Sequence, residues 1–119
     1  MQQAINLDEK LALVDDRRAP KIVTRYNTND VMVPKFKGAF PFHSHADTDD
    51  FFLVLSGQMR MEFEDRGVEV GAGELLVVPK DVTHRPVADE ECHVLLIEPT
   101  GEPNTGTSTE RAAAEKTAI

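Results

Sequence analysis

The chain has 119 residues, 40% of them hydrophobic and 29% charged, which suits one globular domain with a modest core and no covalent staples. Its formal net charge of −8 excludes the basic footprint that nucleic acid or an anionic lipid surface requires. No apolar run approaches the length of a membrane span, and Met1-Gln2-Gln3-Ala4 lacks the basic and apolar regions of a secretion signal. The single cysteine, Cys92, forbids an intrachain disulfide, so the expected location is a reducing cytoplasm.

Residues 6–15 predict a short helix. Asn6 is placed to cap it, Glu9 follows three positions later, and Leu7, Leu11 and Val14 form one stripe. Such a helix is too short to stand alone and is expected to pack on a sheet. From Pro20 the period changes to two, and residues 31–37 form a second extended run, with Pro34 marking an edge or a bulge. Residues 51–55 are apolar throughout, so both faces of that strand should be covered, and Gly57 ends it. Met59, Met61 and Phe63 alternate with Arg60, Glu62 and Glu64, a strand with one wet face. Asp65-Arg66-Gly67 reads as a hairpin turn with Gly67 left-handed, and Gly71-Ala72-Gly73 as a second turn. Residues 75–78 form another strand, stopped by Pro79, and residues 94–97 the last one. The pattern predicts an all-β sandwich or barrel. The divisions expected are an N-terminal extension over 1–19, a β-barrel domain over 20–99 and a C-terminal tail over 100–119. The tail is rich in Thr, Gly, Ala and Glu, with Ala112-Ala113-Ala114 weakly helical. It reads as a mobile tail or a strap, and its composition predicts little contribution to the barrel.

His43 and His45 stand at i and i+2 in an extended segment and so point to one side. Asp50 follows where the next strand begins, and His84 comes after Pro79-Lys80-Asp81. Three imidazoles and a carboxylate are a suitable donor set for a divalent transition metal. The plainer alternative is histidines that pack or lie exposed at strand ends. Asp47 and Asp49 compete with Asp50, but Asp50 shares the parity of Phe52 and Val54. His93 reads as a cross-strand or surface residue and Cys92 as a small packing residue. Met59, Met61 and Phe63 could line a ligand cavity or simply fill the core. Arg60 should point away, and Arg85 is either a rim contact for a carboxylate or a solvated arginine.

These residues resemble the two motifs of the cupin superfamily. The first motif runs Gly, a few residues, His-x-His, a short gap, Glu, then Gly. Here it is Gly38, His43-Ser44-His45, Asp50 and Gly57. The second runs Gly, Pro-x-Gly, His and Asn, and here it is Gly73, Pro79-Lys80-Asp81, His84 and Ala88, with residues 58–72 between the motifs. The sequence departs from the family in having Asp50 for Glu, Asp81 for the turn Gly and Ala88 for Asn. Aspartate tolerates the left-handed conformation that the Gly position needs.

The resemblance implies an antiparallel double-stranded β-helix (jelly-roll) barrel behind the short N-terminal helix. It implies His43, His45, Asp50 and His84 as metal ligands for Fe, Mn, Ni or Zn. It further implies a small-molecule ligand or substrate in the barrel and a homodimer. Two functions follow. One is a metal-dependent enzyme with dioxygenase, isomerase or lyase chemistry. The other is a non-catalytic module that binds or senses a small molecule or a metal. No second catalytic group stands out in the sequence.

Overall fold

The computed structural model describes residues 3–17, 19–110 and 113–119; Met1, Gln2 and Ala112, which enter two of the expectations above, lie outside them. Helix α1 (Leu7–Leu11) begins at Asn6, whose side chain accepts a hydrogen bond from the Glu9 backbone N–H at 3.0 Å. It is shorter than expected, because the chain leaves α-helical pairing for tighter bonds. Leu13 N donates to the Lys10 carbonyl and Val14 N to that of Leu11. The apolar stripe survives the change. Leu11 and Val14 are buried with Val33, against Leu7, Val23, Leu55 and Ile119. Asn6→Ala should cost about 1 kcal/mol in chemical denaturation, since one helix-terminal N–H loses its acceptor.

The strands are β1 (Lys21–Tyr26), β2 (Asn29–Val33), β3 (Lys35–Ala39), β4 (Asp50–Ser56), β5 (Gln58–Phe63), β6 (Gly67–Gly71), β7 (Leu75–Val78), β8 (His84–Pro99) and β9 (Thr117–Ala118). Pro34 divides β2 from β3, as a residue without an N–H should. Strand β8 is the spine of the molecule. Its first half lies between β5 and β3, and its second half between β4 and β2, all antiparallel. One long strand thus passes from one layer to the other, and the fold is a jelly roll, the architecture that the resemblance implies. Among the described residues the strand path β6-β5-β8-β2-β1-β9 does not close on itself.

Two expectations need correction here. The last barrel strand begins at His84, not at Val94. Pro86 sits opposite Met61 in the ladder and its carbonyl accepts from Phe40 N. Gly67 is not left-handed. It lies in β6 opposite Glu62, where a Cβ would come within 3.0 Å of the Arg60 side chain, so close approach explains the glycine there. Asp81 does take the left-handed conformation, with φ 67°.

The main core holds Phe52, Val54, Met59, Met61, Val70, Val78, Ala88, Cys92 and Val94. Both faces of β4 are used, since Phe52 and Val54 enter this core and Leu55 packs on the helix cluster. Cys92 is a packing residue, and burial pushes its thiol up to about 11. It should resist a thiol reagent in the native protein and react only on unfolding, a contrast that a colorimetric thiol assay with and without denaturant reads directly.

Residues 100–110 and 113–119 lie against the barrel as a strap, one of the two forms expected of the tail. Thr105 is buried, Thr107 N donates to the Ser44 carbonyl at 2.9 Å, and Ser44 N donates to the Thr107 hydroxyl at 3.1 Å. At Gly106, φ is +51° and a Cβ would fall 2.2 Å from the Ser44 carbonyl oxygen, so only glycine lets the backbones approach this closely. Ala113 and Ala114 are not helical, and Ala114 N donates to Asn104 Oδ1. Strand β9 then pairs parallel with β1, and Ile119 N donates to the Ile22 carbonyl.

Candidate metal centre

His43 and His84 form an isolated antiparallel bridge, exchanging backbone hydrogen bonds of 3.0 and 2.8 Å. This exchange sets their rings side by side, with centroids 4.4 Å apart. His45 follows at i+2 and its ring meets that of His43 edge-on at 5.1 Å. Asp50 opens β4 on the inward parity of Phe52 and Val54. All four side chains are buried, and one donor atom from each lies within 4.8 Å of the others. Asp49 is exposed and instead accepts from Lys80 N at 2.9 Å.

The Nδ1 atom of each histidine is already engaged. His43 Nδ1 faces the Pro41 carbonyl, His84 Nδ1 the Val82 carbonyl and His45 Nδ1 the Glu102 carboxylate, each at 2.8 Å. These partners accept hydrogen bonds, so Nδ1 must be the donor, and in the neutral ring the lone pair sits on Nε2. His45 Nε2, His84 Nε2 and Asp50 Oδ1 are buried without a hydrogen-bond partner among the described residues. Asp50 Oδ2 lies 3.3 Å from His45 Nε2 and 3.4 Å from His84 Nε2. Donors held about 2.1 Å from one ion are spaced by about 3 Å, so these separations suit a shared cation. Orphaned donors at such spacing fit a metal ion, and the four residues could hold one.

The electrostatics agree. Burial lowers His43 to about 4, with His84 and His45 adding to the effect against the bond to Pro41. Burial also works against a charged His45, but Asp50, Glu102 and Glu98 outweigh it and raise His45 to about 9. Burial opposes ionisation of Asp50, yet His45 and His84 bring it down to about 2. Burial, helped by Asp50, pushes Glu98 up to about 7 despite Lys116 and His45. Without a metal, a proton on His45 supplies the cation that the carboxylates require; a metal would take its place.

Glu98 and Glu102 were not among the residues expected at this site. Glu98 is 2% exposed, with Oε2 3.6 Å from His45 Nε2 and Oε1 3.1 Å from Lys116 Nζ. The sequence did carry a signal for Glu98, because it shares the parity of Val94 and Leu96. Glu102 had none, lying 57 residues from His45. Beside the cluster is a pocket of about 100 Å³. His43, Asp50, Glu98 and Asn104 contribute polar lining, and Phe36, Phe40, Phe52, Pro86, Val94 and Leu96 apolar lining. Met59 and Met61 do not line it and are core residues. Arg85 pairs with Glu62 at 2.7 Å and lies over the Phe42 ring, while Arg60 pairs with the same glutamate. His93 pairs with Glu91 at 3.0 Å.

The family model for the cupin domain matches residues 30–98, more than half of the chain. A cupin-2 domain protein of Shewanella frigidimarina NCIMB 400 is 38% identical, with a TM-score of 0.79 over 80% of this chain and 93% of that one. A Neisseria meningitidis protein is 31% identical, with a TM-score of 0.72 over 82% of this chain and all of its own (100%). The uncharacterized Bacillus subtilis (strain 168) protein YdbB is 32% identical over 73 residues, 60% of this chain and just under two thirds (65%) of that protein. With both sequence motifs, the jelly roll and the family match in agreement, the chain belongs to the cupin family.

Proposed function

We propose that this protein is a metal-dependent enzyme acting on a small organic molecule in the pocket. His43, His45, Asp50 and His84 would hold one divalent transition ion, Fe, Mn, Ni or Zn. The observation that carries the reading is the convergence of three imidazoles, each with Nδ1 occupied, on a buried carboxylate beside a pocket. The bound ion would supply Lewis-acid or redox chemistry, within the dioxygenase, isomerase or lyase classes. The protein's part is to bind and orient. Phe36, Phe52, Val94 and Leu96 would hold the apolar portion of the substrate and keep water out. Asn104 would face its polar end.

The test is turnover of a panel of small phenols, keto acids and sugar acids by metal-loaded and chelated protein, read by oxygen uptake and product analysis. Metal-dependent conversion supports the enzyme. A small molecule that binds without conversion supports the non-catalytic module instead.

We also propose a homodimer. Among the described residues strand β7 pairs with β4 alone, and its Leu75 and Val77 are exposed, a combination that a second copy would cover. Sedimentation of Leu75→Lys beside the wild type checks this; a wild-type monomer contradicts it. No helix among the described residues is long and apolar enough to cross a membrane. The buried free thiol of Cys92 suits the reducing cytoplasm proposed as its location.

A further inference from the structure

We propose that Glu98 is an additional protein ligand of the metal centre, reaching the ion directly through Oε2; this rests on reading His43, His45, Asp50 and His84 as a metal site. The first argument is position. Glu98 stands on the inward parity of β8 with Val94 and Leu96 and lines the pocket together with His43 and Asp50. Its Oε2 is 3.6 Å from His45 Nε2, close to the 3.3 Å between that nitrogen and Asp50 Oδ2. Two donors on one ion with arms of about 2.1 Å can stand up to about 4 Å apart, so 3.6 Å is a separation from His45 that a shared ion spans. Oε2 lies outside the group of four donors within 4.8 Å of one another and would close on them as the ion binds.

The second argument is orientation. Lys116 Nζ holds the other oxygen, Oε1, at 3.1 Å and also donates to the Glu102 carbonyl. The carboxylate is therefore fixed with one oxygen toward the strap and the other toward the histidines.

The third argument is charge. Asp50, Glu98 and Glu102 surround His45 with three carboxylates, and Lys116 returns one positive charge. With neutral imidazoles, as ligation requires, two negative charges remain, which a divalent ion neutralises. Buried charges persist only when compensated in this way. The arrangement also bears on the family departure at Asp50. The shorter aspartate stands where a glutamate is usual, and Glu98 offers a second carboxylate from the facing strand.

The experiment uses Mn2+ as probe, with affinity from titration and coordinated exchangeable water from water-proton relaxation. Glu98→Gln keeps the volume and removes the charge. Glu98→Gln combined with Lys116→Met removes the ammonium left unpaired, should the single variant fold poorly. Glu102→Gln is the comparison, because the Glu102 carboxylate meets His45 at Nδ1, the nitrogen turned away from the ion. The expected result for either Glu98 variant is affinity weaker by at least about tenfold, together with stronger relaxation as a water takes the vacated position. Glu102→Gln should weaken affinity without adding a water. Glu98 variants with wild-type affinity and relaxation overturn the proposal. So does weaker affinity with unchanged relaxation, which would make Glu98 a positioning residue. A wild-type protein that takes up no Mn2+ overturns both this proposal and the reading beneath it.

Discussion

Ending the chain at Pro99 is expected to lower the melting temperature by on the order of 10 °C and to weaken metal binding at the same time. The truncation removes Lys116 and leaves Glu98 buried without its cation. Breaking one partner of a buried pair costs about 3–5 kcal/mol, which in a domain of this size corresponds to that shift. It also removes Glu102 from His45 Nδ1, so the ring loses the acceptor that orients it. The Thr107 contacts to Ser44 and the Ile119 contacts to the helix cluster go with it. Differential scanning calorimetry and a Zn2+ titration of both forms check this. A truncated protein that melts and binds like the full chain would show that the strap is dispensable.

Asp50→Asn should weaken metal binding by at least about tenfold while leaving the circular dichroism unchanged. Neighbouring His45 and His84 keep Asp50 ionised down to about pH 2, so the change removes a real charge at any working pH. The amide keeps the shape, which should preserve β4 and the Phe52 packing. Asp50→Glu should retain binding, because the adjoining pocket leaves room for one more methylene. Metal titration of apo wild type and both variants decides between roles. Equal affinities in all three would remove Asp50 from the site and leave a three-histidine centre.

The parts of this site legible in the sequence were those encoded locally. His43 and His45 two apart in extended chain, and Asp50 at the start of an apolar strand, follow from a period of two. The bridge between His43 and His84 has no local encoding and was reached only through the resemblance of the two motifs. The supporting groups were less legible, for two physical reasons. Strand β8 was read only over its last apolar run from Val94; residues 84–93 carry Pro86 and three consecutive exposed acids, yet Pro86 pairs with Met61 in the ladder and the register shifts opposite the acids. The contacts of the strap were not legible because its composition offers little apolar area. Its hold on the barrel comes from backbone hydrogen bonds and from Glu102 and Lys116, whose partners lie far away in sequence. Glu98 was missed although it shares the parity of Val94 and Leu96; a carboxylate at such a position is a signal for a site.

The central claim is that His43, His45, Asp50 and His84 hold a divalent transition metal. Elemental analysis of protein purified without an affinity tag tests it most directly, with His43→Ala/His84→Ala protein alongside. The expected result is Fe, Mn, Ni or Zn stoichiometric with the wild-type chain and lost from the folded variant. Wild-type protein that is metal-free and takes up none of these ions on incubation, or a variant that retains the metal, would contradict it.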